Sequence, residues 1–131
     1  MNVDSIVLDA QALTLMIEGD RKFMARIRAA REAGAAVVLS ANTIVEVGHG
    51  KLNKPRYDWA LSRVQVEEIT VETARTAALL LKSAKMRGHR HAIDATVVET
   101  ALRQPGTTVI YTSDPDDLQR LGDGKVHTIK V

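Results

Sequence analysis

Residues 109–118 read VIYTSDPDDL: an apolar run stops at an acid, and proline and two more acids follow. The first half has strand character and the second has helix-start chemistry, so the stretch reads as a strand running into a helix. Asp114 suits an N-cap, because a carboxylate oxygen accepts from the free N–H groups of a first turn. Pro115 suits the first helical position, where its missing N–H does no harm. Asp116 and Asp117 oppose the positive end of the helix dipole. Local chemistry alone favours capping over a metal-ligand role by roughly two to one. The balance is set by the rest of the chain.

The same strand, acid, helix pattern opens the chain. Ser5 to Leu8 is a short apolar run ending at Asp9, and AQALTLMIEG is a short helix that stops near Gly19. DRKFMARIRAAREAG is a helix capped by Asp20 and stopped near Gly34, with Phe23, Ile27 and Ala30 as its apolar stripe. AAVVLS is a second buried strand. ANTIVEVGHGKLN is a short helix running out at Gly48 and Gly50, and KPRYDWALSRV is a helix in which Trp59 packs inward. VEEIT reads as a short strand, VETARTAALLLKSAKMRG as a long helix ending at Gly88, HRH as a basic turn, and AIDATVVETALRQ as a helix stopped by Pro105 and Gly106. TTVIYTS, PDDLQRLG and VHTIKV complete the order as strand, helix and strand. Short β-branched runs alternating with helices predict an α/β fold with a mainly parallel central sheet.

The chain has 131 residues, enough for one domain with a real core and too few for two, so residues 1–131 read as a single domain. It is 45% hydrophobic and 26% charged, which excludes a disordered chain. At 3% aromatic, the core is built from Ala, Val, Leu and Ile, and base stacking on aromatic platforms is not a major binding mode. Net charge is +2, compatible with a polyanionic partner without demanding one. There is no cysteine, which removes disulfides, thiolate zinc sites and cysteine nucleophiles. The N-terminus lacks a signal-peptide pattern and no apolar run reaches the length of a membrane span, so the expected location is the cytoplasm, with no membrane partner.

Asp9 and Asp114 both stand at strand ends. In open α/β sheets, ligands bind beyond the carboxyl ends of parallel strands, and two such acids meet if their strands are neighbours. Asp94, inside AIDATVVETAL, shares a helix face with Val98, Ala101 and Leu102. A carboxylate on such a face is costly unless it is paired or binds a cation. The plainer reading is that it caps its helix or pairs with Arg90. Glu46, between Val45 and Val47, is equally open to facing solvent. Four or five carboxylates gathered in one crevice repel one another and imply divalent cations, and an all-oxygen set suits Mg²⁺ or Mn²⁺. Such clusters activate water and stabilise the charge of a phosphoryl transition state.

Taken together, VLDA, then IVEV, then AIDATVVETAL, then YTSDPDDL resemble the PIN domain family, and most closely its VapC-type toxin ribonucleases. The resemblance spans nearly the whole chain. It implies a PIN-like three-layer α/β/α fold. It assigns Asp9, Glu46, Asp94 and Asp114 as the catalytic acids, with Asp9, Asp94, Asp114 and a variable fifth acid, Asp116, holding Mg²⁺ or Mn²⁺. Thr112 matches the hydroxyl often found two residues before the last acid. The family implies a metal-dependent endoribonuclease that cuts single-stranded or loop RNA by metal-activated water, is usually a homodimer, and is held inactive by a cognate antitoxin. Many relatives carry Ser or Thr two residues after the first acid, where this chain has Gln11. Asp117 is extra to the pattern and reads as a helix-start charge.

Arg90, Arg21 and Arg26 are the candidate phosphate contacts, against about even odds that each is an ordinary exposed charge. Competing readings fare worse. A haloacid-dehalogenase-like phosphatase needs a second Asp where Gln11 stands. The H-x-H-x-D-H spacing of a metallohydrolase fails in HRHAIDA, with only His49 and His127 left as further ligands. GHGK lacks both the first Gly and the Ser or Thr of a phosphate loop. The alternative within the family is a catalytically silent PIN-like module that binds RNA or protein.

Overall fold

A computed structural model describes residues 2–48 and 53–131; His49 and the rest of GHGK after Gly48 lie outside the described residues. The first strand, β1 (Ser5–Leu8), runs into α1 (Ala10–Glu18) and α2 (Arg21–Glu32). Then come β2 (Ala36–Ser40), α3 (Ala41–Val47), α4 (Lys54–Ser62), β3 (Gln65–Glu67), α5 (Val71–Ala84), α6 (Gly88–Leu102), β4 (Thr108–Thr112), α7 (Pro115–Leu121) and β5 (His127–Lys130).

The five strands form one sheet in the order β3-β2-β1-β4-β5, and every neighbouring pair is parallel. Parallel sheets need both faces covered, and side-chain alternation supplies the two apolar faces. Ile6, Leu8, Val37, Leu39, Val109 and Tyr111 pack with α1 and α2. Val7, Val38 and Ile110 pack with α5, α6 and α7. The result is the α/β fold with a parallel sheet that the alternating pattern predicts, in the three-layer α/β/α arrangement that the resemblance implies.

From β1 the chain builds outward through β2 and β3, then returns to the other side of β1 for β4 and β5. The strand order therefore reverses between β1 and β4, and the crevice at their carboxyl ends is the switch point where such sheets bind ligands. Leu8 pairs with Tyr111 across that seam, so Asp9 and the residues after Thr112 emerge side by side.

Three local boundaries differ from the sequence reading. α5 stops at Ala84 because Lys85 adopts the left-handed conformation and returns its N–H to Leu81 and Lys82. Gly88 is thus free to open the next helix rather than close the previous one. The HRH stretch is not a turn; it forms the first turn of α6, with a kink at His91 where φ is −122° and ψ is 15°. β3 begins at Gln65, just ahead of the expected VEEIT run, and ends at Glu67, well short of Thr70. Trp59 is only half-buried, sandwiched between Arg56 and Arg63, whose guanidinium carbons lie 4.6 and 5.7 Å from its ring centroid.

Candidate functional site

Asp9 caps α1: its Oδ1 accepts from the Ala12 N–H at 2.9 Å. The other end of α1 is closed by Gly19 in the left-handed conformation and by Arg56, which donates to the carbonyls of Ile17 and Met16. The helix is fixed at both ends, and the Asp9 carboxylate with it. Its second oxygen, Oδ2, accepts from the Ser113 N–H at 3.2 Å, while the Asp9 N–H donates to the Tyr111 carbonyl at 3.1 Å. The ends of β1 and β4 are thereby tied together through this one acid.

Asp114 occupies the N-cap position of α7, yet its side chain forms no cap hydrogen bond. Its backbone N–H is held instead by Thr112 Oγ1 at 2.9 Å. Thr112 is fully buried and, by alternation, faces the α6 layer. The Asp114 carboxyl is raised above the ordinary carboxylate range. The largest cause is a hydrogen bond shared with the Asp117 carboxyl. Desolvation and the Asp117 charge raise it further, the nearby Asp117 amide pulls weakly the other way, and the Asp94 charge raises it again. Asp117, read from sequence as a helix-start charge, therefore faces the cluster. Asp116 is exposed and points elsewhere in the turn.

Asp94 sits on α6 with Val98 and Ala101 buried on the same face, as its spacing predicts; Leu102, at the end of that face, is partly exposed. Asp94 makes neither the cap nor the Arg90 pair considered for it. Burial is the largest cause that raises its carboxyl; His91 pulls it down, and the charges of Asp117 and Asp9 push it up. His91 Nδ1 lies 3.4 Å from one Asp94 oxygen and 3.9 Å from an Asp117 oxygen. Among the described residues, one ligand atom each from His91, Asp94 and Asp117 comes within 4.8 Å of the others.

Glu46 is exposed in the last turn of α3, a helix that packs against both α1 and α6 and so reaches both layers. It lies one turn beyond Asn42, whose amide reaches Thr96 of α6 at 3.5 Å. Ser40, buried at the end of β2 on the α6 face, has a hydroxyl with no hydrogen-bond partner among the described residues. Arg90 is exposed on the first turn of α6, beside His91. Arg21 is exposed at the start of α2. Arg26 stacks over Tyr111 at 5.7 Å, on the sheet face opposite Thr112. The structure thus brings Asp9, Asp94 and Asp114 together, adds His91 and Asp117, and leaves Arg21 and Arg26 on a different side.

The donor set fits a divalent cation. The Asp94 carboxyl, raised first by burial, and the Asp114 carboxyl, raised first by its hydrogen bond to Asp117, both also feel neighbouring carboxylate charge, and a hard cation is the charge that relieves this. The signal for the two extra residues is present in the sequence: His91 stands three residues before Asp94 and Asp117 three after Asp114, spacings that share a helix face.

An all-parallel, three-layer α/β chain with clustered acids at its switch point defines a class of ligand-binding α/β proteins. Within that class the family is specific: the PIN domain model matches residues 6–124, and the chain belongs to the PIN domain family. No curated protein matches the sequence. Among solved structures it is similar to a chain of VapBC2 from Rickettsia felis, determined bound to a DNA fragment from their promoter. The TM-score is 0.72 at 11% identity, over 97% of this chain and 98% of that one. At that identity the likeness is one of fold.

Proposed function

We propose that the chain is a metal-dependent endoribonuclease of the toxin–antitoxin type, cutting single-stranded or loop RNA. The observation that carries this reading is the convergence of Asp9, Asp94 and Asp114 on the β1/β4 switch point of a PIN domain. Asp9, Asp94 and Asp114 would hold Mg²⁺ or Mn²⁺, with Glu46 completing the acid set from α3 and exposed Asp116 assisting only through its charge. A bound divalent cation would supply an activated water and stabilise the charge that grows on a phosphodiester in the transition state.

The chain's own groups do the positioning. The amides of Ala12 and Ser113 fix both oxygens of Asp9. Thr112 fixes the backbone at Asp114. Burial keeps Asp94 a strong ligand once a cation replaces its proton. Arg90, beside the cluster and exposed, is the phosphate contact best placed of the three arginines, and such contacts make binding salt-dependent. The likeness in fold to a VapBC2 chain supports a small antitoxin partner whose segment covers this crevice, and the family supports a homodimer working in the cytoplasm.

The test is replacement of Asp94 by Asn, with RNA cleavage measured in vitro and growth measured on induction. Loss of both with the fold retained supports the reading. Cleavage and toxicity unchanged by Asp94→Asn would remove the crevice as the catalytic site, and a wild type that cuts no RNA would leave a silent RNA- or protein-binding module.

A further inference from the structure

The sequence pattern accounts for the acids of this crevice but not for the imidazole set among them. We propose that His91 is a direct ligand of the cation, giving a mixed nitrogen–oxygen shell of His91 Nδ1, Asp94 and Asp117 that favours Mn²⁺ and later transition metals over Mg²⁺. The inference rests on the reading of the crevice as a divalent-cation site and names two ligands, His91 and Asp117, that reading does not contain.

The geometry carries it. His91 Nδ1 stands 3.4 Å from the Asp94 oxygen and 3.9 Å from the Asp117 oxygen. The Asp94 contact is a long hydrogen bond, beyond the about 2.7–3.2 Å of a good one, and the Asp117 contact is longer still. Ligand atoms about 2.1 Å from a shared octahedral cation stand about 3.0 Å apart at right angles and about 4.2 Å apart across it. Both observed separations fall inside that span. The three atoms come from two helices, His91 and Asp94 from α6 and Asp117 from α7.

The backbone explains why the ring is there. The N–H groups of Arg90 and His91 both return to the Arg87 carbonyl, and the helix bends at His91 before continuing through Asp94. His91 and Asp94, three residues apart, then lie on one face. The His91 side chain is only 15% exposed, so it is packed towards the crevice rather than waving in solvent. Neighbouring Arg90 and Ala92 are exposed, so the bend turns one residue of this turn inward.

An imidazole changes what the site selects. Mg²⁺ prefers carboxylate and water oxygens, whereas imidazole nitrogen suits transition metals, with affinity rising from Mn²⁺ towards Ni²⁺. Loss of the ring should therefore cost the three cations unequally. A ring that only props Asp94 in place would cost them alike.

The experiment uses metal-free full-length protein, titrated calorimetrically with Mg²⁺, Mn²⁺ and Ni²⁺, for wild type, His91→Asn and Asp94→Asn. The expected result is a fall of about tenfold or more in Mn²⁺ affinity, and a larger one for Ni²⁺, in His91→Asn, with Mg²⁺ affinity changed less than Mn²⁺ affinity. Pulsed EPR of the Mn²⁺-loaded wild type should show nitrogen coupling from a bound imidazole. That measurement needs no variant, so it stands even if His91→Asn folds poorly. Equal losses for all three cations, or Mn²⁺ binding without nitrogen coupling, overturn His91 as a ligand. If His91→Asn binds as wild type while Asp94→Asn does not bind, the cation site survives and this inference fails. If no cation binds wild type, both fall.

Discussion

Ser113 donates its backbone N–H to Oδ2 of Asp9 at 3.2 Å, across 104 residues of sequence. The other oxygen of the same carboxylate caps α1 through Ala12. One side chain thus performs a structural task and, in the proposed function, a catalytic one, and the two can be separated. Asn is as good an N-cap as Asp, so Asp9→Asn should keep the α1 cap and lose only the Ser113 bond, which an amide NH2 cannot accept. Asp9→Ala loses the cap as well, about 1 kcal/mol more. Both variants should lose RNA cleavage by about a hundredfold or more. Thermal melts beside a cleavage assay make the comparison; an Asn variant that cuts normally would remove Asp9 from the chemistry.

Burial holds Asp94 above the ordinary carboxylate range, aided by the charges of Asp117 and Asp9 and opposed by His91. The unfolded chain returns it to about 3.9. Between those two values the folded state binds more protons than the unfolded one, so this group's contribution falls as pH rises through the window and then levels off. In chelator, Asp94→Asn should therefore match wild type at low pH and become the more stable of the two as pH climbs. Added Mn²⁺ should raise the Tm of wild type and not of the variant. A Tm difference that is independent of pH would contradict the assigned protonation.

Most of the framework was legible because period and punctuation agree: β-branched runs, the Asp20 cap, and Pro115 at a helix start. The α5/α6 boundary was not, since Gly88 is a stronger textual stop than Lys85, while the backbone uses Lys85 in the left-handed conformation. The acids at residues 9, 94 and 114 could be collected because each ends a strand or interrupts an apolar face. Asp117 and His91 were read as a cap charge and a turn residue. Their three-residue spacing from Asp94 and Asp114 is a sequence signal, but their membership also depends on how α6 bends and how α7 docks on it, which one sequence does not state. Arg26 was legible only as a cation; its place over Tyr111 follows from the pairing of α2 with the far face of the sheet.

Glu99 is 4% exposed, and its carboxylate is raised by burial, lowered by Arg103 and raised by Glu67. Arg103 Nε meets it at 2.9 Å and Arg103 Nη1 reaches Glu67 of β3 at 3.2 Å, tying α6 to the edge of the sheet. Arg103→Ala strands a buried carboxylate and should cost about 3 kcal/mol, the low end for such pairs because Arg103 itself meets solvent. The double change Glu99→Leu with Arg103→Met should recover most of that loss. Urea unfolding measures both; a single variant as stable as wild type would mean that the pair contributes nothing.

The acids of the opening stretch give the sharpest comparison. Asp114 shares a hydrogen bond with Asp117, and Asp117 also faces His91. Asp116 is exposed at the second position of α7 and contributes only charge near the helix start. As first-turn acids the two residues are equivalent, each adding about 0.3–1 kcal/mol against the dipole, so a purely structural role predicts small and equal effects. With a cation in the crevice the effects diverge. Asp117→Asn should weaken Mn²⁺ binding about 10–100-fold and slow cleavage, while Asp116→Asn should leave Mn²⁺ affinity within about threefold of wild type. Calorimetry of the two variants decides between the positions. A larger loss for Asp116→Asn would return the fifth ligand to the residue that the sequence pattern favours, and would require α7 to turn by about 100° per residue from where the structure sets it.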